Sequence, residues 1–92
     1  MTGEERVQLF WQCVAAVDAL EVEYPGDPTL QSIRGQLRFL IKQAAGDPRD
    51  QDGLDRINIG VLTVRQVEDM NDDVAQLLHR ASGEAKRMRS EA

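Results

Sequence analysis

The chain is short of most residues that an enzyme centre uses. Cys13 is its single cysteine, so neither an internal disulfide nor a cysteine-ligated zinc site can form. A lone thiol fits a reducing compartment. His79 is the only histidine, and no Gly-Lys-Ser/Thr phosphate loop occurs. Aromatics are down to two Phe, one Trp and one Tyr, so Leu, Ile and Val must carry the core. Basic residues are in deficit: 11 Lys and Arg stand against 16 Asp and Glu, for a net charge of −5. Nucleic-acid binding needs a concentrated basic face, so that class is excluded. The acidity suits solubility and a basic protein partner. No apolar run approaches membrane-spanning length, and MTGEERVQLF lacks the basic-then-apolar layout of a signal peptide. A cytoplasmic location with no membrane contact is expected. No cofactor is expected. Asp47, Asp50 and Asp52 lack the twelve-residue calcium pattern and its terminal glutamate, so no metal is expected either.

What the chain does have is amphipathic helix. Its 92 residues read as one domain, 1–92. Thr2 and Glu5 form a capping box ahead of Val7, Phe10, Val14 and Val17, which recur at spacings of three and four. Leu9, Cys13, Ala16 and Leu20 widen that face, and a helix so apolar calls for neighbours on two sides. Glu21 projects to the apolar side, where either an arginine pairs with it or the helix is already fraying. Tyr24-Pro25-Gly26 ends the helix. Asp27 and Pro28 open a second helix with a stripe of Leu30, Ile33, Leu37, Leu40, Ile41 and Ala44. Gly35 in this helix could admit another backbone, and Gly46 is a natural stop. Residues 46–53, GDPRDQDG, have turn composition, for either a tight surface loop or a mobile one. Asn71 caps a last helix with Asp72 and Asp73 in its first turn and a stripe of Val74, Leu77, Leu78, Ala81, Ala85 and Met88.

Residues 54–68 are ambiguous locally. Ile57, Ile59 and Val61 alternate as in a strand, but no other segment reads as β and a lone strand leaves its backbone unsatisfied. Helix is the better global answer, with Leu54, Ile57, Val61, Val64 and Val67 on one face and Gly60 bending or breaking it. The expected fold is all-α: a compact bundle of three long helices plus one or two short helices around residues 54–68.

Few side chains stand out as functional. His79 projects to a helix flank, away from the acids, and reads as a surface or boundary residue. Cys13 reads as a small core hydrophobe. Trp11, at the edge of the apolar arc, serves either core packing or an interface. Phe39 sits among polar positions and needs either a second packed helix or a partner. Glu68, Asp69, Asp72 and Asp73 read as helix-end charge or as an acidic patch for a basic partner.

Several motifs fall in a telling order. Tyr24-Pro25-Gly26 follows an acidic helix end, and Gln36-Leu37-x-Phe39-Leu40 lies on the next helix. After the polar loop come Leu54-x-Arg56-Ile57-Asn58-Ile59-Gly60, Val64-Arg65-Gln66-Val67-Glu68 and Asp69, then Leu77-Leu78 on the last helix. Over residues 5–80 this order resembles the small helical immunity proteins of bacterial type VI secretion, whose best-known member neutralises an NAD(P)+ glycohydrolase toxin. The resemblance implies a non-catalytic protein that binds a cognate toxin domain stoichiometrically and occludes its active site. Charge and projection nominate Phe39 as anchor and Asp50, Asp52, Glu68, Asp69, Asp72 and Asp73 as charged contacts. The alternative is a helical interaction or dimerisation module unrelated to toxins; homo-oligomers are possible but not expected.

Overall fold

Helix α1 spans Gly3–Glu23, and it is buried on two sides because its apolar arc faces two other helices. The computed structural model describes residues 1–91. Thr2 and Glu5 close the capping box reciprocally, Glu5 N–H to Thr2 Oγ1 at 3.1 Å and Thr2 N–H to Glu5 Oε1 at 3.0 Å. Helix α2 (Pro28–Ala45) returns antiparallel: Gly3 lies against the Ala44 carbonyl at one end, and Glu21 meets Arg34 at the other. Arg34 also holds Asp18 at 2.7 Å. Of the two readings of Glu21, pairing with an arginine is the one present, and α1 runs on past it to Glu23.

Asp27 Oδ1 accepts from the amides of Thr29 and Leu30 at 2.9 and 3.0 Å to start α2. Gly46, at φ 112°, ends it. The Gly46 and Asp47 amides return to the carbonyls of Gln43 and Lys42, which uses up two of the helix's orphan acceptors.

The polar loop is tied at both ends. Gln43 donates to the Pro48 carbonyl at 3.1 Å and accepts from the Asp50 amide at 3.0 Å. Asp50 then caps the short helix α3 (Gln51–Asp55), so the expected loop stops three residues early. A Cβ on Gly53 of α3 would come within 2.5 Å of the Phe39 ring and 2.8 Å of Asp50 Oδ2. Replacing Gly53 with alanine should therefore prise α3 off α2 and cost about 1–3 kcal/mol in thermal unfolding, with Phe39→Leu in the same chain recovering part of it.

The chain breaks at Ile57 and Asn58, where Gln36 grips Asn58 reciprocally: the Asn58 amide donates to Gln36 Oε1 at 2.8 Å, and Gln36 Nε2 donates to Asn58 Oδ1 at 2.7 Å. Helix α4 (Ile59–Leu62), a π-helical turn (Thr63–Val67) and α5 (Glu68–Met70) then follow without interruption. The last helix, α6 (Asp72–Ser90), is capped by Asn71, whose Oδ1 accepts from the Val74 amide at 3.0 Å. It runs antiparallel to α1, with Arg6 beside Glu84 and Glu91, and Ala16 and Leu20 near Val74. Its other side carries α3 and the 59–70 helix.

The core is one cluster, with Phe10, Cys13, Val17, Leu30, Ile33, Leu37, Leu40, Ile59, Val67, Leu78 and Ala81 fully covered. The Cα radius of gyration is 12.4 Å, against about 12 Å for a well-packed chain of this length. Helices account for all regular structure among the described residues.

The structure further corrects the sequence reading at Val61 and Val64, Gly60, Gly35 and Trp11. Val61 and Val64 are exposed, at 50% and 58%; the buried face of the 59–70 helix is Ile59, Thr63 and Val67. The break at Ile57 and Asn58 resets the helical phase. The π turn then adds a residue, so positions eight apart align where a regular α-helix would drift by about 80°. Gly60 does not break the helix, which runs through it without interruption; it lets α4 approach α6, since a Cβ there would lie 2.6 Å from Ser82 Oγ. Gly35 admits no backbone, for nothing lies within 4 Å of its Cβ position. Trp11 is half exposed and lies outside the core.

Candidate protein-binding surface

The six acids singled out from sequence are all exposed, but they do not form one patch. Glu68 and Asp69 end the 59–70 helix, and Asp72 and Asp73 begin α6, with only Met70 and Asn71 between them. Helix-start charge accounts for Asp72 and Asp73 locally. Asp50 and Asp52 belong to α3, at the opposite end of α6, where Arg49 donates to the carbonyls of Met88 and Arg89 at 2.9 and 3.0 Å. Met88 and Asp72 are about 24 Å apart along the helix axis. Asp50 is already engaged as the cap of α3. Phe39 is half-buried, packed on the core and covered by Gly53, so α3 supplies the second packed helix that an aromatic on this face requires.

Between the two acidic groups runs a groove of about 660 Å³, bounded by residues 57–65 on one side and α6 on the other. Val61 and Val64 give it an apolar wall, Gly60 and Gly83 a shallow floor, and Arg65, Lys86 and Arg89 a basic rim. Sequence reasoning missed this groove for a definite reason. It counted both valines as core, which left no open apolar wall beside α6. The π turn was the hidden variable, because it rotates Val64 and Arg65 outward.

His79 closes one end of the groove. Its Nε2 lies 2.7 Å from Glu68 Oε2, so an acid does reach the histidine, contrary to expectation. Ser82 also lines the groove, but its hydroxyl faces Gly60 and makes no hydrogen bond with His79. A serine, a histidine and a glutamate are thus near one another without the nucleophile-to-base contact that a hydrolytic triad needs. Cys13 is fully buried, its thiol donates to the Leu77 carbonyl at 3.6 Å, and burial pushes its pKa up to about 12. Such a thiol is not a nucleophile near neutral pH. No cluster of three or more His, Cys, Asp or Glu suited to a metal ion occurs among the described residues. No helix among them is long and apolar enough to cross a membrane.

Glu84 was also missed. It falls inside the α6 stripe and is 2% exposed. Arg6 Nε donates to it at 3.0 Å, and Arg87 pairs with it from the solvent side. Burial alone would raise the Glu84 carboxyl, but the bonds from Arg6 and Arg87 outweigh it and hold the group below the ordinary carboxylate range. Arg6 makes two further bonds to Glu91, at 2.9 and 2.8 Å, which raise its own pKa against burial. The sequence signal was available: an acid at spacing three from Ala81 and four from Met88 must find a cation. This pair is structural, binding the start of α1 to the end of α6.

Comparison with known proteins gives one family: the Tsi6 family model matches residues 5–87. No curated protein and no solved structure matches.

Proposed function

This chain belongs to the Tsi6 family of type VI secretion immunity proteins, and we propose that it protects by covering the active site of a cognate toxin domain, one molecule to one. The toxin that suits it best hydrolyses an anionic dinucleotide such as NAD(P)+. A cleft built for that substrate carries positive potential, and an acidic inhibitor is steered toward it. The protein acts by occupying a surface, in the cytoplasm, with no reactive centre of its own. The observation that carries this reading is the corner where Glu68, Asp69, Asp72 and Asp73 stand together in solvent beside an unfilled groove. Asp50 and Asp52 form a separate, secondary contact, and Phe39 supports the fold beneath them.

Neutralising the four corner acids with Gln and Asn should weaken toxin binding about 10–100-fold, chiefly through slower association, and should flatten its dependence on salt. Neutralising Asp50 and Asp52 should change affinity far less, while loss of the Asp50 cap costs α3 about 1 kcal/mol. Titration calorimetry against the cognate toxin domain, over a series of salt concentrations, reads both effects. Equal affinity for the four-acid variant and the parent would sink the acidic-corner reading. Co-expression with that toxin tests protection itself: cells should survive only with the intact partner.

A further inference from the structure

Most glycines of this chain have a reason inside the fold. Gly26 and Gly46 have positive φ, and Gly3, Gly53 and Gly60 stand where a Cβ would come within 3 Å of another atom. Gly83 has neither. It lies in the middle of α6, has nothing within 4 Å of its Cβ position, and opens onto the groove. A glycine there weakens the helix relative to alanine, with no intramolecular return. Gly35 shares this freedom but lies on α2, outside the groove.

Two further features meet at the same place. Val61 and Val64 are large apolar side chains left half exposed on the wall opposite Gly83. Arg65, Lys86 and Arg89 rim the groove with no carboxylate paired to them among the described residues, in a chain whose net charge is −5. The groove is thus apolar at its centre and cationic at its edge, while the corner next to it is anionic.

We propose that this groove is a second docking site for the cognate toxin, and that it takes a segment carrying an apolar side chain flanked by carboxylates. The apolar side chain lies over Gly83 between Val61 and Val64, and the carboxylates meet Arg65, Lys86 and Arg89. A cationic toxin cleft then faces the anionic corner at the same time. Adjacent patches of opposite sign permit one register and penalise the reversed one. The inference rests on the toxin-inhibitor reading above and adds the surface and the chemistry of the segment it holds.

Gly83→Leu tests the idea sharply, because it fills the groove from a position with room to spare and restores helix propensity. Arg65→Glu/Lys86→Glu tests the charge with exposed residues that hold nothing in the fold. Both variants are titrated against the cognate toxin domain, with the unaltered protein and the four-acid variant in parallel. The expected result is an affinity at least about 30-fold lower for each groove variant, the scale of losing one anchor residue. Melting temperatures should equal the parent's, or exceed it for Gly83→Leu. Full affinity in both groove variants, with normal binding by the parent, would overturn the groove and leave the inhibitor reading standing. A parent protein that fails to bind the toxin would overturn that reading instead. If the parent is a dimer in light scattering and Gly83→Leu makes it monomeric with toxin affinity intact, the groove belongs to a second copy and the inference is wrong.

Discussion

Arg6→Met should destabilise the fold by about 3–5 kcal/mol, the largest effect expected of any substitution outside the apolar core. The reason is not the strength of a salt bridge but the charge that would be left behind. Glu84 is 2% exposed, and Arg6 is its inner partner, with its own side chain only 12% exposed. Arg87, at 72% side-chain exposure, approaches from solvent and cannot replace the lost inner bond. The same substitution frees Glu91, so the end of α6 loses its hold on the start of α1. Small domains hold about 5–15 kcal/mol in total, so urea unfolding should show a variant close to its limit. Arg6→Met/Glu84→Leu should recover most of the loss, because an apolar pair removes the stranded charge.

The pair also sets a pH dependence. The Glu84 carboxyl has a folded pKa below its ordinary value of 4.5. Its contribution is therefore complete above pH 4.5 and is lost as pH falls through the lower, folded value. Glu84→Gln should be less stable than the parent at neutral pH, and the gap should narrow as both are acidified below 4.5. A gap that stays constant down to the acid transition would show that the charge on Glu84 contributes nothing.

Phe10→Ala should cost a similar amount, about 3–5 kcal/mol, by a different route. Phe10 is fully covered and is the largest such side chain in the protein. It belongs to the helix that packs against both α2 and α6, so the void it leaves borders both interfaces. A cavity between rigid helices collapses poorly, and the penalty grows with the volume left open. Denaturation should shift to lower urea with an unchanged slope, and Phe10→Leu should lose only about a third as much. A variant this weak should also fail to protect cells at elevated temperature even if its toxin-facing surface is untouched.

The helix termini were legible because their signals are local. Thr2, Asp27, Asn71 and Gly46 each act on backbone groups within a few residues, and each does what its chemistry requires. The stripes of α2 and α6 were legible because a 3.6-residue period holds along an unbroken helix. That assumption failed between residues 54 and 70. Asn58 is held outside the helix by Gln36, which lies 22 positions away, and no local pattern announces it. That break shifts the phase and puts Val61 on the wrong side, and the π turn then changes the period itself from Thr63 onward, which carries Val64 outward as well. Gly60 and Gly53 posed a related problem: a glycine that bends a chain and one that makes room for a neighbour look alike until the neighbour is placed. The acids were legible as charges but not as a surface, because only the fold decides which of them stand together. The resemblance identified the class of protein; the groove needed coordinates.

The sealed thiol of Cys13 has a practical consequence. A reagent that attacks sulfur can reach it only when α1 and α6 separate, so its rate of modification measures how often the bundle breathes. The protein thus contains its own gauge of internal motion, at the seam where the first and last helices meet. A bound partner that grips both helices should slow that clock, and one that touches a single helix should leave it running.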